Sequence, residues 1–131
     1  MDPLHRPPAE VVVSTACVLF VDDEEGLLEL YRSAFSRLGY EVATASTLAA
    51  GRQRLDEGGV DLLVLDIRLT EGSGLQLLRE AKSSHPRLPV ILNTAYARYQ
   101  DDFSSWLADA YVVKSSDLSE LKRVVRNILE D

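Results

Sequence analysis

The sequence predicts an α/β fold, a three-layer sandwich with a five-stranded parallel sheet between layers of helices. Two observations predict it. Short, nearly unbroken apolar runs rich in branched side chains, such as Leu62-Leu63-Val64-Leu65, read as strands buried on both faces, and such strands belong to parallel sheets covered above and below. These runs alternate five times with stretches of helical periodicity, the rhythm of consecutive strand–helix units.

Residues 1–14, with Pro3, Pro7 and Pro8 and no periodic pattern, read as a flexible tail ahead of one domain over 15–131. Residues 16–21 form the first strand. The apolar stretch from Val11 to Val21 could pass for a cleaved leader. But Asp2 and Glu10 precede or open it, Asp22-Asp23-Glu24-Glu25 ends it, and it is too short to span a bilayer. Residues 24–38 form a helix whose Leu27, Leu28, Tyr31, Ala34, Phe35 and Leu38 make one stripe, stopped by Gly39. Residues 40–45 are the second strand. Ser46 or Thr47 caps a helix to about residue 56, with Leu48, Ala49 and Leu55 inward, and Gly58-Gly59 ends it.

The third strand, 62–66, climbs out of its apolar run into Asp66. The loop 67–73 holds Gly72 and suits a tight turn. A helix over 74–84 sets Leu75, Leu77, Leu78 and Ala81 inward. The fourth strand, 90–93, ends at Thr94. Tyr99, Phe103, Trp106 and Leu107 have the spacing of a fourth helix, against the weak propensity of Ser104 and Ser105. The fifth strand, 110–113, is followed at once by Lys114. Ser116 or Asp117 then caps a fifth helix carrying Leu118, Leu121, Val125 and Ile128.

The chain's 131 residues, 46% of them hydrophobic, suit one domain with a real core. A net charge of −7 argues against a nucleic-acid partner, which needs a basic face. The single cysteine, Cys17, lies inside a strand run and reads as a buried reduced thiol, consistent with a cytoplasmic protein. No membrane segment is expected.

In a parallel sheet with helical crossovers, chemistry gathers outside the carboxyl ends of the strands. Here those ends carry Asp22 and Asp23, Asp66, Thr94 and Lys114. Three clustered carboxylates repel one another, and a bound cation relieves them. Oxygen ligands without histidine or thiolate suit Mg²⁺, with Mn²⁺ as the alternative. Lys114 is a compact charge suited to a phosphoryl oxygen, and Thr94 can donate a hydrogen bond to another. A carboxylate can itself be the nucleophile, giving an aspartyl phosphate. Singly, each residue has a plainer reading: Asp22 to Glu25 as a solvated helix start, Asp66 as a loop cap, Lys114 as a surface charge. Their joint occurrence at strand ends favours function.

Val21-Asp22-Asp23, Leu65-Asp66-Ile67, Gly74-Leu75, Thr94-Ala95 and residues 108–114 together resemble the receiver domain of two-component response regulators, a CheY-like, flavodoxin-like fold with strand order 2-1-3-4-5 and five helices. The resemblance covers nearly everything from Cys17 onward. It implies that Asp66 accepts a phosphoryl group from a sensor histidine kinase or phosphotransfer protein. Asp22, Asp23, Asp66 and the backbone carbonyl of Arg68 would hold Mg²⁺. Thr94 would swing to the phosphoryl group, Tyr111 would turn inward with it, and Lys114 would pair with a phosphoryl oxygen. The face made by the fourth helix, fifth strand and fifth helix would then change for a downstream protein target or output domain. No output domain follows the last helix, so the expected role is a switch acting through protein contacts, alone or within a longer chain. It would not be a turnover enzyme.

Three departures from the family pattern stand out. Thr70 replaces a usual proline four residues after the acceptor. Arg68 and Tyr96 lie at positions that tune dephosphorylation, and their bulk is expected to lengthen the phosphorylated lifetime. Ser115 follows Lys114 where a cis proline is usual, so the bond is either trans with a rebuilt loop or a strained cis bond. A phosphatase using an aspartate nucleophile also fits a strand-end Asp66, but it needs a second acid where Arg68 stands. A binding module that kept the fold and lost the switch is a third reading, opposed by the intact acids, Thr94 and Lys114.

Overall fold

The computed structural model describes residues 15–69, 72–95 and 107–130. Their elements run β1 (Cys17–Val21), α1 (Glu25–Arg37), β2 (Glu41–Ala45), α2 (Leu48–Asp56), β3 (Leu62–Leu65), β4 (Arg68–Leu69), β5 (Gly72–Ser73), α3 (Gly74–Ser84), β6 (Val90–Thr94), β7 (Ala110–Val113) and α4 (Ser119–Leu129). The main sheet is parallel throughout, in the order β2-β1-β3-β6-β7. Counting its strands alone, that is the expected 2-1-3-4-5.

The alternation of side chains along each strand divides the core in two. Leu19, Val21, Leu63, Leu65 and Leu92 face α2 and α3, where Leu48, Leu55, Leu77, Leu78 and Ala81 meet them. Val18, Phe20, Leu62, Val64, Ile91 and Val112 face α1 and α4, against Leu28, Tyr31, Phe35, Leu121 and Val125. Strands covered on both sides can carry almost no polar residue, which is why their runs are so uniform.

Several boundaries and contacts differ from expectation. Of the two candidate caps for α2, Thr47 does the work, its side chain accepting from the Ala50 N–H at 3.0 Å. Ala49 is exposed; Gly51 takes the inward place, because α2 lies so close to the sheet that a Cβ there would meet Val21 at 3.0 Å and Leu77 at 3.2 Å. The stripe of α1 holds except for Leu38, which is 38% exposed at the helix end. The expected turn over 67–73 contains a two-stranded antiparallel ribbon, β4 with β5. Helix α4 begins later than expected, with Leu118 at its N-cap and no side-chain cap there. Asp117 acts from one residue further out, its carboxylate accepting from the Ser119 N–H at 2.9 Å and hydroxyl at 2.6 Å. Four helices lie among the described residues. The tail over 1–14, Thr70, Tyr96 and the helix expected over 99–107, apart from Leu107, lie outside them.

Candidate functional site

The parallel sheet brings the ends of β1, β3, β6 and β7 to one edge. Asp22 follows β1, its N–H bonded to the Ala45 carbonyl of β2, and Asp66 follows β3, its N–H bonded to the Val21 carbonyl. These bonds extend the sheet ladder by one residue and fix both carboxylates side by side. Asp22 and Asp66 are buried, at 2% and 7% exposure. Asp22, Asp23 and Asp66 each offer a carboxylate oxygen, and the three lie within 4.8 Å of one another.

Lys114 comes from the end of β7, its N–H bonded to the Thr94 carbonyl at 2.8 Å. Its Nζ lies 2.8 Å from Asp22 Oδ2 and 2.9 Å from Asp66 Oδ2, with Glu24 Oε1 at 3.8 Å. Burial alone would lower the ammonium's pKa, but the bonds to Asp22 and Asp66 outweigh it and the net shift is upward. Lys114 is therefore charged. Burial raises the Asp22 carboxyl above the usual range, against the bonds from Lys114 and from the Glu24 N–H that favour its ionised form. Both partners of this ion pair shift upward because the cost of burying the Asp22 charge exceeds the pull of the lysine on it, whereas for Lys114 the two carboxylates exceed the cost of burial. Three carboxylates facing one lysine leave the site short of positive charge. A small divalent cation with oxygen ligands fits that deficit and that donor set.

The other expected residues fall nearby. Thr94 ends β6 and is fully buried. Tyr111 is half-buried on β7, level with Leu92, and packs against the α2/α3 side of the core. Arg68 lies in β4 with its side chain exposed, and its N–H points at Asp66 Oδ1 from 3.4 Å. The Lys114–Ser115 bond is trans. The Ser115 hydroxyl accepts from the Asp117 N–H at 3.1 Å, so the following loop closes on itself with side-chain bonds.

Gly74 was quoted from sequence only within the Gly74-Leu75 motif, and the Asn93–Tyr31 pair was not singled out at all. Gly74 opens α3 directly against the Asp66 backbone: its N–H bonds the Ile67 carbonyl at 2.6 Å, and a Cβ would collide with the Asp66 carbonyl. Asn93 and Tyr31 form a buried hydrogen bond beneath the acids, Asn93 Nδ2 donating to the Tyr31 hydroxyl at 3.0 Å. An amide at the end of the run Val90-Ile91-Leu92 was the available signal for Asn93. Tyr31 gave none, since its place in an apolar stripe explains it fully.

The strand order and the acids and lysine at its edge define a flavodoxin-like signalling module of the CheY kind. The chain belongs to the response regulator receiver domain family, whose model matches residues 18–126. It is 33% identical over 115 residues to the regulatory protein AtoC of Escherichia coli, covering 86% of this chain and 25% of AtoC. It is 36% identical over 118 residues to the probable transcriptional regulatory protein TcrX of Mycobacterium tuberculosis, covering 86% of this chain and 49% of TcrX. The chain thus spans a quarter to a half of those relatives. Among solved structures, it is similar to the response regulator TrrA of Thermotoga maritima in complex with Mg²⁺-BeF, at TM-score 0.85 and 38% identity, over 88% of this chain and all of TrrA. TrrA has also been solved in complex with the histidine kinase ThkA. No helix among the described residues is long and apolar enough to cross a membrane.

Proposed function

We propose that this receiver domain is a phosphorylation-controlled switch in which Asp66 is the acceptor. The observation that carries the reading is the Lys114 ammonium held between Asp22 and Asp66 at 2.8 and 2.9 Å. A buried carboxylate beside a fixed cation, at the carboxyl edge of a parallel sheet, is arranged to take a phosphoryl group and retain it. An Asp66 oxygen attacks phosphorus, the P–N bond of a phosphohistidine breaks, and the electron pair leaves with the imidazole. Lys114 then exchanges a carboxylate partner for a phosphoryl oxygen. The donor is a sensor histidine kinase or phosphotransfer protein, a reading supported by the TrrA–ThkA complex.

Asp22, Asp23, Asp66 and the Arg68 carbonyl would hold Mg²⁺, which when bound supplies charge neutralisation for the phosphoryl oxygens. The oxygen donor set and the TrrA complex with Mg²⁺-BeF support magnesium; nothing in them favours manganese. Thr94 and Tyr111 would carry the change to the face around β7 and α4, where a downstream protein or output domain reads it. The domain promotes its own phosphorylation and hydrolysis and turns over no separate substrate. Its acidity favours a protein partner over nucleic acid, and the cytoplasm is the compartment where such a donor acts.

Incubating the chain with Mg²⁺ and acetyl phosphate tests this. The expected result is a stoichiometric mass gain of one phosphoryl group, absent in Asp66→Asn and in the presence of a chelator. A wild-type chain that stays unmodified with every small donor and with phosphorylated kinase would overturn it.

A further inference from the structure

Beneath the acids the sheet carries a polar contact that the reaction as described does not use. Tyr31 projects from α1 and is 3% exposed; Asn93 projects from β6 on the same side of the sheet and is 4% exposed. Their hydrogen bond is 3.0 Å long and joins residues 62 apart in sequence. The Tyr31 ring is stacked on Phe20 at 4.9 Å, which fixes the direction of its hydroxyl. Asn93 is one of four buried polar residues among those described, with Asp22, Asp66 and Thr94; such a pair is costly unless satisfied, and it holds one geometry when it is.

Its position is specific. One narrow void, too tight for water, is bounded by Phe20, Asp22, Tyr31, Val64, Asp66 and Asn93. The pair therefore lies in the floor under both carboxylates. A second cavity, of about 250 Å³, is lined by Tyr31, Asn93, Lys114 and the loop after β7. The pair also reaches Lys114 through the backbone: Asn93 is level with Val112 in the sheet, and the next carbonyl, that of Thr94, accepts the Lys114 N–H. Whatever anchors the Asn93 side chain anchors the end of β6, whose Thr94 carbonyl in turn holds the Lys114 N–H at the end of β7. The phenol's own pKa is raised by burial, so Tyr31 is a neutral hydroxyl there.

We propose that Tyr31 and Asn93 are positioning residues for phosphoryl transfer at Asp66: their buried hydrogen bond ties α1 to the end of β6 and holds Lys114 in line with the acceptor, beside a loop in which Ser115 provides no rigid ring. The inference rests on Asp66 being the acceptor.

The test compares Tyr31→Phe, Asn93→Leu and the double variant. Tyr31→Phe keeps the ring on Phe20, and the double variant replaces both polar groups by apolar ones of similar shape, which relieves the unpaired partner left by either single change. Initial rates of phosphorylation are measured against acetyl phosphate concentration at saturating Mg²⁺. The double variant is expected to recover the folding midpoint of the wild type while its maximal rate constant stays five- to tenfold lower, with half-saturating donor within twofold. Carbon-13 NMR of the lysine ε-methylenes in metal-free protein gives a readout independent of reaction. The chain's lysines are Lys82, Lys114 and Lys122, so the spectrum is simple. The two ε protons of Lys114 are expected to be inequivalent in the wild type and to coalesce in the variants. A double variant with wild-type rate and an unchanged Lys114 signal overturns the positioning role alone. A wild type that takes no phosphoryl group overturns the acceptor assignment, and this role with it.

Discussion

Removing the Lys114 ammonium would leave Asp22 and Asp66, with side chains 4% and 8% exposed, facing each other without that counter-charge. Taking one member from a buried ion pair costs about 3–5 kcal/mol. Lys114→Ala is therefore expected to lose stability on that scale in urea denaturation without metal, and to regain part of it with Mg²⁺. A midpoint equal to the wild type's would contradict the shared-lysine geometry. Gly74 makes a different demand at the same place. Any side chain there must push α3 away from the Asp66 carbonyl. Gly74→Ala is expected to lose about 1–3 kcal/mol, the usual cost of overpacking. It should also phosphorylate more slowly, because the backbone of the acceptor moves. Thermal melting and labelling rate measured on one preparation check both effects.

At the scale of elements, the two ends of α4 are held by different means. Its start depends on Asp117, whose carboxylate takes the Ser119 N–H and hydroxyl. Its end is tied to the start of β2, where the Tyr40 hydroxyl donates to Glu130 Oε2 at 2.6 Å. Burial, then the bond to Glu130 and its charge, push the Tyr40 phenol from its ordinary 10.0 up to about 12. A group whose folded pKa is raised favours the fold in its protonated form. This contribution is complete below about pH 10 and disappears as pH rises through about 12. Tyr40→Phe is expected to abolish that part of the alkaline loss of stability and to remove one step near 12 from the phenolate absorbance titration. An unchanged titration would show that another tyrosine carries the step.

For the molecule as a whole, the acid cluster links folding to metal. An unfolded chain cannot hold Asp22, Asp23 and Asp66 together, so an ion bound there stabilises the folded state by mass action, about 2.7 kcal/mol at a hundred times its dissociation constant. Magnesium is expected to raise the melting temperature, and a chelator to reverse the rise. The double variant Asp22→Asn, Asp23→Asn should melt at one temperature with or without the ion. A wild-type melt indifferent to magnesium counts against the site.

The strands and their edge were legible because their cause is local. A strand covered on both faces must be apolar throughout, so Leu62 to Leu65 declare themselves, and the first polar residue after each run marks the edge. Once the strands are parallel, Asp22, Asp66, Thr94 and Lys114 must share that edge whatever the loops do. What the chain by itself could not determine is set by packing between distant segments. The exposure of Ala49 follows from how closely α2 approaches the sheet, and the choice of Asp117 over Ser116 from how the loop after β7 folds. The trans bond at Ser115 was left open by the sequence for the same reason. The Asn93–Tyr31 bond, spanning 62 residues, exists only because α1 crosses the sheet at the level of that one amide. Periodicity reports which face a residue takes; only tertiary structure decides which side chain it meets there, since distances across strands depend on register and helix placement together.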